Sequence, residues 1–145
     1  MNNHHEFFHQ LHQLTRYLSK ELNERLSALG IFSSQWTILY RLKQVGSCTQ
    51  AELADYLGVE RPTITRTLAR LEEAGWIQRL QGKDKREKLV SLSNQALEEY
   101  PTWQKVVSEF ENDMLQNVSA SQQAEVKTVS ALILEKLYSK EASDR

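Results

Sequence analysis

Between Thr49 and Leu92 the hydrophobic pattern changes period once, and no other feature constrains the fold as tightly. Before Trp76, apolar residues recur every three or four positions, as on one face of a helix. After it come two short runs, Trp76-Ile77-Gln78-Arg79-Leu80 and Lys88-Leu89-Val90-Ser91-Leu92, that read as strands. The polar stretch between them, Gln81 to Glu87, suits the tip of a hairpin. Upstream, Thr49-Gln50-Ala51-Glu52 forms a capping box, in which the threonine oxygen accepts an amide and the glutamate reaches back. The helix it opens carries Ala51, Leu53, Ala54 and Leu57 and stops at Gly58. Pro62 falls in the first turn of the next helix, where a missing N–H costs little. That helix turns Ile64, Leu68 and Leu71 to one side and closes at Glu72-Glu73-Ala74-Gly75.

Long helices flank this middle segment. From Glu6 to Leu29, the residues Phe7, Leu11, Leu14, Leu18, Leu22, Leu26 and Leu29 mark one face, and Gly30 ends it. A second helix is expected from a Ser34 cap through Trp36, Leu39, Tyr40 and Leu42 toward Gly46. After the hairpin, Ser93 can cap a helix to about Asn117, with Pro101 expected to bend or restart it. A last helix, Ser121 to Tyr138, carries Val126, Val129, Ile133 and Leu137. With only five glycines and two prolines in 145 residues, helices are favoured over a turn-rich β fold. The length suits one domain spanning 1–145.

Charge decides which function classes survive. The net charge of -1 excludes a uniformly basic coat but not a local patch. From Val59 to Val90 basic residues outnumber acids, whereas from Ser93 to Tyr138 acids outnumber lysines. The chain is polarised. One cysteine, Cys48, cannot close an internal disulfide, and no apolar run reaches the roughly 20 residues of a membrane span. The start, Met1 to Glu6, lacks the basic and apolar pattern of a signal peptide. A soluble cytoplasmic protein with no membrane partner is expected.

Two short helices followed by a hairpin are the order of a winged helix-turn-helix, whose second helix enters the major groove. On a helical wheel Ile64, Leu68 and Leu71 fall within about 60° of each other. Pro62, Arg66, Ala69 and Arg70 lie opposite, with Thr63 and Thr65 on the flanks. Arginine bonds a guanine edge bidentately, and threonine bonds phosphate or touches a thymine methyl. On the hairpin, Lys83, Lys85, Arg86 and Lys88 cluster at a tip able to reach phosphates or a narrow minor groove. Asp84 is placed to pair with the Arg86 guanidinium and aim it. A solvated charged face is the alternative for both surfaces.

The segments Thr49-Gln50-Ala51-Glu52-Leu53-Ala54, Val59 to Arg66, Leu71 to Ile77, and Asp84-Lys85-Arg86 followed by Val90-Ser91-Leu92-Ser93 resemble the MarR family of bacterial transcription regulators. The resemblance implies a mainly α fold, with a winged helix-turn-helix over 47–92 and dimerisation helices over 4–29 and 94–139. Within the winged region, the helix-turn-helix spans about 49–73 and the wing about 76–92. It also implies a homodimer on a pseudopalindromic DNA operator, a repressor's role, and release by a small lipophilic or phenolic effector. Arg86 matches the family's Asp-x-Arg wing motif, whose arginine contacts the minor groove. The DNA-binding residues expected are Arg61, Pro62, Thr63, Thr65, Arg66, Arg70, Lys83, Asp84, Lys85, Arg86 and Lys88. Where the family often has threonine and glycine after the wing, this chain has Ser93 and Ala96.

Other readings rest on fewer residues. His5, His9 and His12 share a face of the first helix and suggest a metal-responsive regulator, against which stands a frayed polar terminus. Phe32, Trp36, Tyr40 and Trp103 can line a pocket or simply fill the core. Cys48 reads as a small buried filler. A winged-helix protein–protein adapter would need apolar anchors where Arg66 and Arg70 stand. No nucleophile–base pair, carboxylate pair, phosphate loop or metal signature argues for an enzyme, and no cofactor is expected.

Overall fold

The computed structural model describes residues 3–84 and 86–144. In chain order it runs α1 (His4–Leu26), a 3-10 turn (Ser27–Leu29), α2 (Ser33–Val45), β1 (Ser47–Thr49), α3 (Gln50–Leu57) and α4 (Arg61–Glu73). Then follow β2 (Ile77–Gln81), β3 (Lys88–Leu92), α5 (Asn94–Met114) and α6 (Ala120–Asp144). Two compact units are formed, Met1–Ser108 and Glu109–Arg145, with the boundary inside α5.

The first unit is organised around one apolar core. Leu26 from α1, Ile38, Leu39 and Leu42 from α2, and Leu53 from α3 are buried in it. Ile64, Leu68 and Leu71 from α4 join them, with Val90 from β3 and Trp103 from α5. In α3 and α4 the three- and four-residue spacing therefore coincides with the buried face. Gly30, at φ +77°, ends the 3-10 turn in a left-handed conformation that a side chain disfavours. Gly58 does the same for α3 at φ +65°. The capping box is present: Thr49 Oγ1 accepts the Glu52 N–H at 3.1 Å, and Glu52 Oε1 accepts the Thr49 N–H at 3.1 Å.

Three local features differ from expectation, and a fourth, at Pro101, is narrowed to one of its two alternatives. The expected two-stranded hairpin is part of a three-stranded antiparallel sheet, ordered β1-β3-β2. Cys48 lies opposite Val90, while Arg79 pairs with Val90 from the other side. Cys48 is buried, in keeping with a filler's role. Ser34 does not cap α2. The cap position is Phe32, two residues earlier, with the Ser33 N–H donating to Asn23 Oδ1 of α1 at 2.6 Å and the Phe32 N–H donating to Gln35 Oε1 at 3.0 Å. Pro101 does not restart α5, which runs through it as one helix. Finally, α6 extends past Tyr138 to Asp144 and is capped by Ser119, whose Oγ accepts the Gln122 N–H at 3.1 Å.

The second unit is dominated by α6, whose apolar side chains Val126, Val129, Leu132, Leu134 and Leu137 are exposed on the chain. On α1, Phe7, Phe8, Leu11 and Leu14 are likewise exposed. No helix among the described residues is long and apolar enough to cross a membrane.

Candidate nucleic-acid interface

The surface of interest is the side of α4 turned away from the core. Because Ile64, Leu68 and Leu71 are buried, the other side of the helix faces outward: Arg61, Pro62, Thr63, Thr65, Arg66 and Arg70 are all exposed. Pro62 sits in the first turn, as its missing N–H allows. The outward hydroxyls are not idle. Thr65 Oγ1 donates to the Arg61 carbonyl at 2.9 Å, and Thr67 Oγ1 donates to the Thr63 carbonyl at 2.9 Å. Arg66 Nη2 leans back to donate to Thr63 Oγ1 at 3.4 Å, a long contact that a stronger acceptor can replace.

One residue of this surface was missed from the sequence. Gln50, the first residue of α3, donates from Nε2 to Thr65 Oγ1 across the helix-turn-helix. No periodicity signals it, because the bond joins two elements rather than two turns of one.

Beside α4 stands the hairpin. The Gly82 N–H donates to the Glu87 carbonyl at 2.8 Å, and the Glu87 N–H donates to the Asp84 carbonyl at 2.9 Å, closing the tip. Asp84 Oδ1 accepts the Arg86 backbone N–H at 3.2 Å. The expected pairing of Asp84 with the Arg86 guanidinium is absent from the described contacts: the short carboxylate is satisfied by the turn's own backbone. Lys83, Arg86 and Lys88 are exposed, and Lys85 lies outside the described residues. At the base of the wing Arg79 Nε meets Glu72 Oε2 at 3.3 Å, joining β2 to the last turn of α4.

Other candidates from the sequence fall elsewhere. Trp36, Tyr100 and Trp103 form a buried aromatic run, with Trp36 stacked on Tyr100 at 5.3 Å between ring centroids. Trp36 and Trp103 are thus core, while Phe32 and Tyr40 are exposed. Around Cys48 a small cavity of about 80 Å³ is lined by Arg41, Glu52 and Leu53. Burial pushes the Cys48 thiol upward, the Glu52 carboxylate adds to this, and Arg41 opposes it. The His5 and His9 rings stack at 6.4 Å, and no group of three or more metal-ligating side chains gathers among the described residues.

A capped helix, a glycine turn, a second helix with a cationic outer face and a basic antiparallel hairpin define a winged helix-turn-helix protein. Its relatives narrow this further. The model of the MarR family matches residues 31–88. Over 107 residues the chain is 49% identical to YwoH of Bacillus subtilis (strain 168), an uncharacterized HTH-type transcriptional regulator, covering 74% of this chain and 78% of that one. The crystal structure of transcriptional regulator PA3341 superposes with a TM-score of 0.82 at 35% identity, covering 92% of this chain and 98% of the other. A mutant MarR from E. coli, crystallised in complex with operator DNA, superposes at 0.81 with 26% identity, covering 92% and 99%. The chain belongs to the MarR family and is a transcriptional regulator.

Proposed function

We propose that the chain binds double-stranded DNA as a homodimer on a pseudopalindromic operator and represses transcription there. The observation that carries this reading is the outward face of α4, with Thr63, Thr65, Arg66 and Arg70 together, beside the basic wing. In this reading those four residues meet base edges and phosphates in the major groove. Arg86 enters the minor groove, on a tip shaped by Asp84. Arg61, Lys83, Lys85 and Lys88 follow the phosphate backbone, and Pro62 starts the helix at the groove.

The exposed apolar residues of α1 and α6 support self-association, since patches of this kind mark interaction surfaces. Two heads related by a dyad would read half-sites roughly 34 Å apart. A small lipophilic or phenolic effector that lowers DNA affinity accords with the family. The surface described is a binding surface, so no catalytic step is assigned, and the chain acts in the cytoplasm. An adapter role is disfavoured by the cationic, hydroxyl-rich face where apolar anchors would be needed.

Selection from a random duplex pool, followed by gel-shift titration, tests the reading. The wild-type chain should enrich an inverted repeat, and Arg86→Ala should bind it at least tenfold more weakly while sedimenting as the same dimer. Undiminished affinity in Arg86→Ala removes the minor-groove assignment. A monomer that enriches no duplex at low salt removes the whole reading.

A further inference from the structure

We propose that Gln50 is a specificity-determining residue of the DNA-reading surface, acting through Thr65. The inference rests on the DNA-binding reading above and adds a residue from outside the recognition helix.

The Thr65 hydroxyl offers only a few hydrogen-bonding positions. A threonine hydroxyl has one proton and two lone pairs. The Thr65 proton is committed to the Arg61 carbonyl at 2.9 Å. The Gln50 amide donates into one lone pair. One lone pair remains, so toward the groove Thr65 is an acceptor only. A phosphate oxygen, itself an acceptor, gains nothing from it. The amino groups of cytosine and adenine, which are donors in the major groove, do.

Gln50 also limits where that acceptor points. In a helix, threonine divides between two side-chain rotamers, because its oxygen can bond the preceding turn from either. A second bond from a neighbouring helix is compatible with only the rotamer that brings Oγ1 toward α3. Gln50 is half-buried and its partner exposed, so the contact sits at the rim of the proposed interface. The amide thus preorganises a reading group without adding to the core.

The test uses the full chain and the operator that the wild type selects. Binding is measured to that operator and to each single-base-pair variant of it. The proteins compared are wild type, Thr65→Val, Gln50→Ala, Gln50→Glu and the double variant Gln50→Ala/Thr65→Val. Thr65→Val identifies the base pair that Thr65 reads. Gln50→Ala should lower discrimination at that same pair by about fivefold, the size of one neutral hydrogen bond. The double variant should lose no more than the larger single loss. Gln50→Glu, which keeps the shape but cannot donate, should lose discrimination at least as strongly as Gln50→Ala. Unchanged discrimination at that pair, a uniform loss over all duplexes, or additive effects in the double variant overturns the inference while leaving the DNA-binding reading intact. A wild-type chain that enriches no duplex overturns both.

Discussion

The Ser93 hydroxyl donates to the Gly75 carbonyl at 2.6 Å, and the same oxygen accepts the Ala96 N–H at 3.1 Å. One side chain therefore caps α5 and fastens it to the turn that follows α4. Removing it takes away the cap and leaves the Gly75 carbonyl without this partner. Ser93→Ala should destabilise by about 1–2 kcal/mol in urea denaturation. Ser93→Thr keeps the hydroxyl and should retain most of that stability. Equal loss in both variants would show that volume, rather than the hydroxyl, matters at this position.

Two neighbours on α4 should separate folding from reading. Leu68 is fully buried, so Leu68→Ala removes packed methyl groups and should cost about 2–5 kcal/mol. Arg66 is exposed, and Arg66→Ala should stay within about 0.5 kcal/mol of wild type in a thermal melt. The same variant should lose about 1–3 kcal/mol of discrimination at one base pair of the operator. If Arg66→Ala unfolds the chain or leaves base preference unaltered, the division of α4 into two faces by role is wrong.

The wing lysines should act through counterions. Lys83→Ala and Lys88→Ala should each weaken binding to every duplex alike and reduce the slope of log affinity against log salt by about one. Titrations at several salt concentrations measure this directly. A slope that stays at the wild-type value places those ammonium groups away from phosphate.

Cys48 gives a prediction about pH. Its thiol is pushed above the ordinary range by burial, then by the Glu52 carboxylate, with Arg41 acting the other way. The folded chain therefore holds this proton more tightly than the unfolded chain. The resulting stability is fully present below the unfolded thiol's pKa, about 8.5, and is lost as pH rises through the folded value. Since the thiolate is the reactive form, a thiol reagent at about pH 8 should label the native chain more slowly than the chain in urea. Equal labelling rates would contradict the burial.

Much of the local architecture was readable in advance because its causes are local. The Thr49–Glu52 box, the Gly30 and Gly58 stops and the Ile64, Leu68, Leu71 face each depend on residues within a turn or two of one another. The exposed set on α4 followed from that face by elimination. Strand β1 was not readable: Ser47-Cys48-Thr49 is too short for any period, and it is a strand because Val90 lies opposite Cys48. The start of α2 was misjudged for a related reason, since Asn23 of α1 supplies an acceptor at its first turn and moves the boundary ahead of Ser34. Asp84 stands in the expected turn but bonds a different group. Charge suggested the guanidinium, whereas the geometry of the tight tip brings the Arg86 N–H to the carboxylate.

The amino-acid order by itself determined which segments become helices, the glycine stops at Gly30 and Gly58, the buried faces of α3 and α4, and that a basic hairpin follows a cationic helix. Those properties come from periodicity, capping and backbone freedom, all of which act over a few residues. The tertiary structure alone decided that Gln50 of α3 bonds Thr65 of α4 and that the wing is anchored by a third strand. Each of those depends on a hydrogen bond between groups distant along the chain, whose partners are settled only once the core has brought their elements side by side.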